Sequence, residues 1–234
     1  MNKYYETICE VKKKIKQYLD TIFQVSGDEL LLELEHYNLL SNKNNCIETS
    51  TAIGFLLEEY VTSKLSIYTS KFKNEPNEVV ITKLANDNST LNSSYDCYAK
   101  YKNILFLINI KVQKNTSHNY AVAAINILYN DYVVEDPDQE KAYLILKTHY
   151  SFNDSPTDGE RKIAINKTEC YALEEVDFSE GHMQDHRNWS EEFNPNSGRL
   201  QISPKWLETY KLDENKISYS RTKKYLKDIY DSNT

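Results

Sequence analysis

The 234-residue chain is poor in glycine and proline, with five of each. It contains no GxxxxGK[ST] phosphate loop, no GxGxxG fingerprint and no GxSxG nucleophile elbow. Each of those motifs depends on glycine to let the backbone turn sharply or approach a ligand closely. The sequence therefore gives little support to the nucleotide-binding and hydrolase folds that use them.

Cysteine and long apolar runs are also scarce. Four cysteines are scattered without CxxC spacing, which indicates neither a zinc site nor a disulfide framework. No apolar run approaches the roughly 18–20 residues that would span a membrane. The N-terminus lacks the apolar core of a signal peptide. We therefore expect one globular domain in a reducing cytoplasm, with no membrane association.

The net charge of −7 argues against tight non-specific attachment to nucleic acid. Arginine, the residue best suited to phosphate or guanine edges, is rare. The arginines are confined to the C-terminal third of the chain, at Arg161, Arg187, Arg199 and Arg221. Their position hints that a recognition region lies there.

Helical periodicity dominates the first 70 residues. Apolar residues at helical spacing predict a helix over about 3–24. Asp28 is a plausible N-cap for a second helix that ends near Leu40. The hydroxyl residues at 49–51 are candidate caps for a third helix, which ends near Thr69.

Strand patterns follow. Residues 79–81 read as a strand, 97–100 and 104–112 as a hairpin, 120–129 as a helix, and 143–150 as another strand. Beyond 150 the pattern predicts short strands at 163–165, 170–176 and 200–202, a polar loop over 177–197, and helices beginning near Trp206 and at 220.

This order predicts a mixed α/β fold, with helices on both sides of a central mixed sheet. We expect a single domain over 1–234. Within it, 1–48 is a helical N-terminal region, 49–150 the core, and 151–234 an irregular C-terminal region.

The hairpin carries the most informative polar residues. Asp96 begins its first strand, and Asn109 and Lys111 lie near the end of its second. Because residues two apart on a strand face the same side, Asn109 and Lys111 project together. A short hairpin brings Asp96 alongside them.

This constellation resembles the PD-(D/E)xK nuclease superfamily, and small Type II restriction endonucleases in particular. Asp96, after Tyr95 rather than Pro, matches the first acid of the motif; Asn109 falls at the D/E position and Lys111 at the lysine. The family core of helix, three-stranded meander, helix and strand fits the order predicted for about 50–150. The resemblance implies a Mg²⁺ cofactor at Asp96, Asn109 and Ile110, with Lys111 assisting the attacking water.

The family often adds an acidic residue on the leading helix, and this chain offers Glu58 and Glu59. Adjacent helical residues point about 100° apart. We therefore expect only one of the two to face the site.

Asn109 departs from the family pattern, because an amide brings an oxygen but no charge to a metal. Three explanations remain open at this point: a tolerated natural variant, a binding protein that has lost cleavage, or an engineered substitution that traps a substrate complex. The last two predict that Asn109→Asp gains function.

Several polar residues outside the hairpin are candidates for DNA contact. The segment around Gly198 resembles a recognition strand, although a plain surface turn explains it equally well. A zinc site at His182 and His186 is disfavoured, because no glutamate follows His182 as in zincins. The candidates for DNA contact are Lys114, Asn115, Ser117, His182, Arg187, Asn196, Arg199 and Gln201.

The sequence thus predicts a Type II restriction endonuclease that cleaves double-stranded DNA with Mg²⁺. By analogy with proteins that read palindromes, we expect a homodimer, with the N-terminal helices as candidate interface. The alternatives are a catalytically silent DNA-binding protein of the same fold and a structural or protein-interaction domain.

Overall fold

The structure is a computed structural model. It describes residues 2–27, 29–32, 49–84, 93–115, 121–154, 161–176, 183–185, 199–201 and 213–231. In these ranges, none of the helices has both the length and the apolar character needed to cross a bilayer.

The described helices and strands follow one another along the chain. The helices are α1 (Lys3–Ser26), α2 (Thr49–Ser70), α3 (Ile125–Tyr129, continued by a π-helical turn over Asn130–Val134) and α4 (Tyr219–Asp231). The strands are β1 (Glu29–Leu32), β2 (Thr82–Lys83), β3 (Cys97–Tyr101), β4 (Ile104–Lys114), β5 (Ala121–Ala124), β6 (Lys141–Asp154), β7 (Arg161–Ala172), β8 (Met183–Asp185) and β9 (Arg199–Gln201). Short 3₁₀ turns cover Leu173–Glu175 and Glu214–Lys216.

Two sheets contain the described strands. The larger has the order β1-β7-β6-β4-β3-β2, and the smaller has the order β5-β9-β8. Strands β3 and β4 form the predicted hairpin, with Cys97 opposite Ile108 and Tyr101 opposite Ile104. Its two turn residues, Lys102 and Asn103, have φ of 47° and 67°. Positive φ at both central positions is the geometry that suits the twist of a tight hairpin.

Strands β4 and β6 are parallel, paired from Leu105↔Lys141 to Lys114↔Tyr150. Parallel neighbours need a crossover connection, and β5 with α3 supplies it. The resulting order is helix, meander of β2, β3 and β4, helix, and a strand parallel to the third. All other pairings of the larger sheet are antiparallel, so this sheet is mixed.

Helices pack on both faces of the larger sheet. Along β4, Phe106, Ile108 and Ile110 join a core with α1 and α2. Leu107, which points the other way, joins a second core with α3 and α4. The alternation follows from the period of two in a strand. The predicted mixed α/β fold with helices on both faces is therefore confirmed.

The helices predicted at the two ends of the chain are confirmed, and the prediction for residues 28–40 is wrong in its described part. Glu29–Leu32 is a strand at the edge of the larger sheet, paired with β7 from Glu29↔Ala164 to Leu32↔Arg161. The short apolar run suits either a helix or a strand, and pairing with β7 decides for the strand. The N-terminal region is thus not wholly helical.

The strand predicted at 79–81 is displaced to Thr82–Lys83. Val79 and Ile81 are buried, but side chains satisfy their N–H groups. The Val79 N–H donates to Tyr18 Oη (3.1 Å), and the Ile81 N–H donates to Thr69 Oγ1 (2.9 Å). These contacts replace the ladder bonds that would define a strand.

Two predictions downstream are also corrected. The helix predicted over 120–129 begins only at Ile125, because Ala121–Ala124 pairs with β9. The strands predicted at 163–165 and 170–176 are one strand, β7, which ends at Ala172. The C-terminal region therefore contributes to the same sheet as the core. The helix predicted near Trp206 lies outside the described residues.

Candidate functional site

A cleft of about 280 Å³ opens where β3 begins, beside the end of β4. It is bounded by α2, the segment before β3, strands β4 and β5, and β9. The polar side chains that line it are those of Glu58, Ser93, Ser94, Asp96, Asn109, Lys111 and Arg199. The structure thus brings together three segments that were predicted to act together. They are α2 with Glu58, the start of β3 with Asp96, and β4 with Asn109 and Lys111.

Asp96 is fixed at the start of β3 by two hydrogen bonds to β4. Its main-chain N–H donates to Ile108 O (2.9 Å), and its Oδ2 accepts from the Ile110 N–H (2.6 Å). Strand β3 begins only at Cys97. The Ile110 N–H therefore donates to the Asp96 carboxylate and not to a main-chain carbonyl of β3. The local fold therefore sets the position of this side chain.

Of the two glutamates on α2, the one that lines the cleft is Glu58. The Val112 main chain lowers the pKa of Glu58, against a larger rise from burial. The Glu59 side chain is 55% exposed, pairs with Lys83, and does not line the cleft. The helix phase thus directs only one of the adjacent acids inward, as the 100° separation requires.

The two carboxylates in the cleft both have raised pKa values. Burial raises the pKa of Asp96 above its ordinary value, although Lys111 and the Ile110 N–H oppose the shift. Burial likewise raises the pKa of Glu58, with Lys111 opposing the shift and the nearby Asp96 adding to it. A cation close to both acids would favour their ionised forms.

Lys111 lies on β4 two residues beyond Asn109 and lines the same cleft. Its ammonium opposes the rise that burial causes in the pKa of Asp96 and of Glu58, so its charge is close enough to act on each carboxylate. It is only partly buried and can therefore reach a molecule in the cleft. The structure thus places Lys111 in the same cleft as Asp96, Asn109 and Glu58.

Asn109 is held by the protein through its amide nitrogen. The Nδ2 group donates to Ser94 O (2.7 Å) and Val122 O (2.8 Å), and it also lies 2.8 Å from Tyr143 Oη. Two main-chain carbonyls require a donor at this atom, which fixes the orientation of the amide. Asn109 Oδ1 is buried and finds no hydrogen-bond partner among the described residues.

The donor set suits a hard divalent cation with few protein ligands. Mg²⁺ prefers oxygen and is commonly held by one or two carboxylates together with water. Glu58 and Asp96 supply two carboxylates, and Asn109, which lines the same cleft, carries a buried Oδ1 with no hydrogen-bond partner among the described residues. Within the described part of the chain, no group of three His, Cys, Asp or Glu could hold a metal. The cleft itself contains two carboxylates and one amide.

Ile110, the remaining residue of the predicted metal set, has a fully buried side chain in the core beneath α1 and α2. Only its main chain can therefore take part in the site. Its N–H is already used by Asp96, so a role for Ile110 would fall to its carbonyl oxygen.

Among the predicted DNA contacts, the structure brings Arg199 to the cleft. It lies on β9, opposite Ala124 of β5, and its side chain is exposed. Lys114 and Asn115 are exposed at the end of β4 but do not line the cleft. Gln201 pairs with Ala121 and Met183 in the smaller sheet.

The other predicted DNA contacts lie outside the described residues. They are Ser117, His182, Arg187 and Asn196. Two basic residues near the start of α4 form hydrogen bonds to main-chain carbonyls within the protein. Arg221 donates to Val176 O, and Lys223 Nζ donates to Pro137 O (2.8 Å).

The residues that fix Asn109 and the segment before Asp96 were not predicted from the sequence. Ser94 and Tyr143 contact Asn109 directly, and Asp131 binds the Ser94 main chain. Nothing in the local pattern marks them, because their roles arise from contacts between segments 15 or more positions apart.

Comparison of the chain with protein-family models and with curated proteins finds no match. The function of the protein is therefore inferred from the cleft and the fold around it.

Proposed function

We propose that the protein is a metal-dependent endonuclease that hydrolyses phosphodiester bonds of double-stranded DNA, of the Type II restriction class. One observation carries the proposal: Glu58, Asp96 and Lys111 line one cleft, at the end of a hairpin whose second strand runs parallel to β6. The element order agrees with the core expected from the PD-(D/E)xK resemblance.

In this proposal Asp96 and Glu58 hold the cation, with Asn109 Oδ1 as a neutral third oxygen. A bound Mg²⁺ would polarise the phosphate and lower the pKa of a water molecule. The hydrogen bond from the Ile110 N–H keeps one Asp96 oxygen in place. Burial makes both acids costly to ionise without a cation, so metal binding and ionisation are coupled.

Lys111 would donate a hydrogen bond to the attacking water and offset the negative charge that develops on the phosphate. In the hydrolysis, the water oxygen forms a new bond to phosphorus and the bond to the leaving oxygen breaks. The water releases one proton, and the leaving oxygen takes one up. Lys111 is partly exposed and acts electrostatically on both acids, which suits it to that role.

DNA is the proposed substrate because an exposed arginine, Arg199, lines the same cleft as the two carboxylates. Arg199 can bind a phosphate through two parallel hydrogen bonds. The remaining features of the class, a homodimer acting in the cytoplasm on palindromic sites, are part of the proposal.

The test is digestion of a long unmethylated DNA with Mg²⁺ or Mn²⁺, comparing the chain with Asp96→Asn. The proposal expects discrete fragments from the parent and none from the variant. Equal, metal-independent degradation by both would show a contaminating nuclease. Intact DNA with a folded parent in both metals would contradict cleavage.

A catalytically silent DNA-binding protein of the same fold is the second candidate. The observation that favours it is the replacement of a motif acid by Asn109, which leaves two carboxylates in the cleft. This candidate expects magnesium-independent, salt-sensitive binding of DNA. A gel-shift titration with Arg199→Ala as the binding control distinguishes it from a chain that does not bind DNA.

A further inference from the structure

Three side chains converge on the main chain of Ser94, two residues before Asp96. The Ser94 N–H donates to Asp131 Oδ2 at 2.6 Å. The Ser94 carbonyl accepts from Asn109 Nδ2 at 2.7 Å and from Tyr143 Oη. We call Asp131, Asn109 and Tyr143 the Ser94 clamp.

The clamp residues come from three different elements: Asp131 from the π-helical turn after α3, Asn109 from β4 and Tyr143 from β6. All three are buried, with exposed fractions of 4%, 3% and 0%. Ser94 itself is buried and belongs to no strand. Because a buried peptide group needs partners, side chains supply what a ladder would otherwise provide.

Asp131 is a buried carboxylate close to the cleft that does not line it. Its own main chain is held in turn, because the buried Lys141 Nζ donates to Asp131 O at 2.8 Å. A π-helical turn changes the direction of the side chains it carries, and such turns are frequent at functional sites. Here the turn directs Asp131 toward the Ser94 N–H.

The Asp96 carboxylate is thus held from two sides. Downstream, the Ile110 N–H binds its Oδ2. Upstream, the Ser94 clamp fixes the segment that leads into it. A ligand to a cation loses affinity when it is free to move, because the geometry is then not prepared before binding.

We propose that Asp131 is a positioning residue for Asp96 and acts by fixing the Ser94 main chain. The consequence for the metal depends on the function proposed above. Asp131 does not contact the cation. Its removal therefore loosens the segment 93–96 and lowers cation affinity through Asp96.

The experiment compares Asp131→Ala, which removes the acceptor, with Asp131→Asn, which keeps an acceptor oxygen for the Ser94 N–H. Asp138→Ala, an exposed aspartate in the following turn, is the matched control. The first measurement is amide hydrogen exchange at Ser94 and Asp96 in the metal-free chain. The second is Mn²⁺ affinity by calorimetry without DNA.

We expect Asp131→Ala to exchange Ser94 about tenfold faster or more and to bind Mn²⁺ about tenfold more weakly. Asp131→Asn should recover most of both effects, and Asp138→Ala should change neither. If Asp131→Ala does not fold, Asp131→Leu, which keeps a buried side chain of similar size and removes the acceptor, provides the same comparison. Unchanged exchange at Ser94 and Asp96 in a folded Asp131→Ala or Asp131→Leu variant overturns the proposal.

The two proposals fail separately. If the parent binds no Mn²⁺, the proposed nuclease function loses its metal site, and the exchange measurement alone decides on the clamp. If the parent binds Mn²⁺ and Asp131→Ala binds it equally well, Asp131 has no positioning role, while the nuclease proposal stands.

Discussion

The Asp96 carboxylate binds the main-chain N–H of Ile110 across the hairpin, at 2.6 Å. Asp96 lies just before the first residue of β3, so its side chain supplies the next hydrogen bond to β4 beyond the last main-chain pair. The same acid lines the cleft. Asp96 therefore has both a structural and a chemical role, and substitutions can separate them.

Two substitutions of Asp96 should differ in stability and agree in function. Asp96→Asn keeps an oxygen that can accept from Ile110, whereas Asp96→Ala leaves that N–H without an acceptor. We expect the alanine variant to be less stable than the asparagine variant by about 1–3 kcal/mol. Both should lose Mn²⁺ binding. Urea unfolding and calorimetry check the two effects, and an asparagine variant that binds Mn²⁺ like the parent would refute the chemical role.

The adjacent acids of α2 provide a matched pair. Glu58→Gln removes a carboxylate from the cleft, whereas Glu59→Gln removes one that pairs with Lys83 outside it. We expect the first to weaken Mn²⁺ binding and DNA cleavage by about tenfold or more, and the second to change both by less than about twofold. Single-turnover cleavage and calorimetry measure this. Equal losses in both variants would mean that the cleft does not discriminate between the two glutamates.

Asn109→Asp, which the sequence alone suggested as a gain of function, should behave differently in this environment. Asn109 Nδ2 donates to the carbonyls of Ser94 and Val122, and a carboxylate would place an oxygen against them. We expect a loss of stability of about 1–3 kcal/mol and no increase in cleavage. Asn115→Asp is the control, because Asn115 is exposed. Faster cleavage by the Asn109→Asp variant than by the parent would contradict this expectation and show that the amide limits cleavage.

Glu174 should make stability depend on pH. Burial raises the pKa of Glu174 to about 7, against an ordinary value of 4.5, although Tyr132 and the Tyr143 N–H donate to it. The folded state therefore holds this proton more tightly than the unfolded state. Its contribution is complete below pH 4.5 and is lost as pH rises toward about 7, with a slope of about 1.4 kcal/mol per pH unit.

Glu174→Gln removes this proton while keeping an acceptor for Tyr132. Chemical unfolding between pH 4.5 and 8 should show a flatter dependence in the variant than in the parent. Because Asp96, Glu58 and Asp131 also have raised pKa values, the comparison is between the two slopes. Identical slopes would mean that Glu174 does not titrate in this range.

Local sequence patterns were sufficient to predict the hairpin and to place Asn109 and Lys111 on one face of its second strand. The apolar run of β4 and the polar turn at Lys102 and Asn103 are close in sequence, and residues two apart on a strand must share a face. The same logic predicted that only one of Glu58 and Glu59 could face the site. It could not choose between them, because the choice depends on how α2 packs against β4.

The remainder depends on contacts between distant segments. Glu29–Leu32 is a strand because β7 lies beside it, and its four residues carry no period that would indicate this. The partners of Asn109 lie 13, 15 and 34 positions away, at Val122, Ser94 and Tyr143. No sequence pattern could show that this amide is held by main-chain carbonyls.

The proposed metal site is tested most directly by anomalous diffraction from crystals of the chain grown with Mn²⁺. If the cleft binds the metal, an anomalous peak lies in the cleft within bonding distance of Asp96 and Glu58, and it is absent from Asp96→Asn crystals. A peak elsewhere with the cleft empty, or no peak at saturating Mn²⁺, would contradict the assignment of the cleft as a metal-dependent nuclease site.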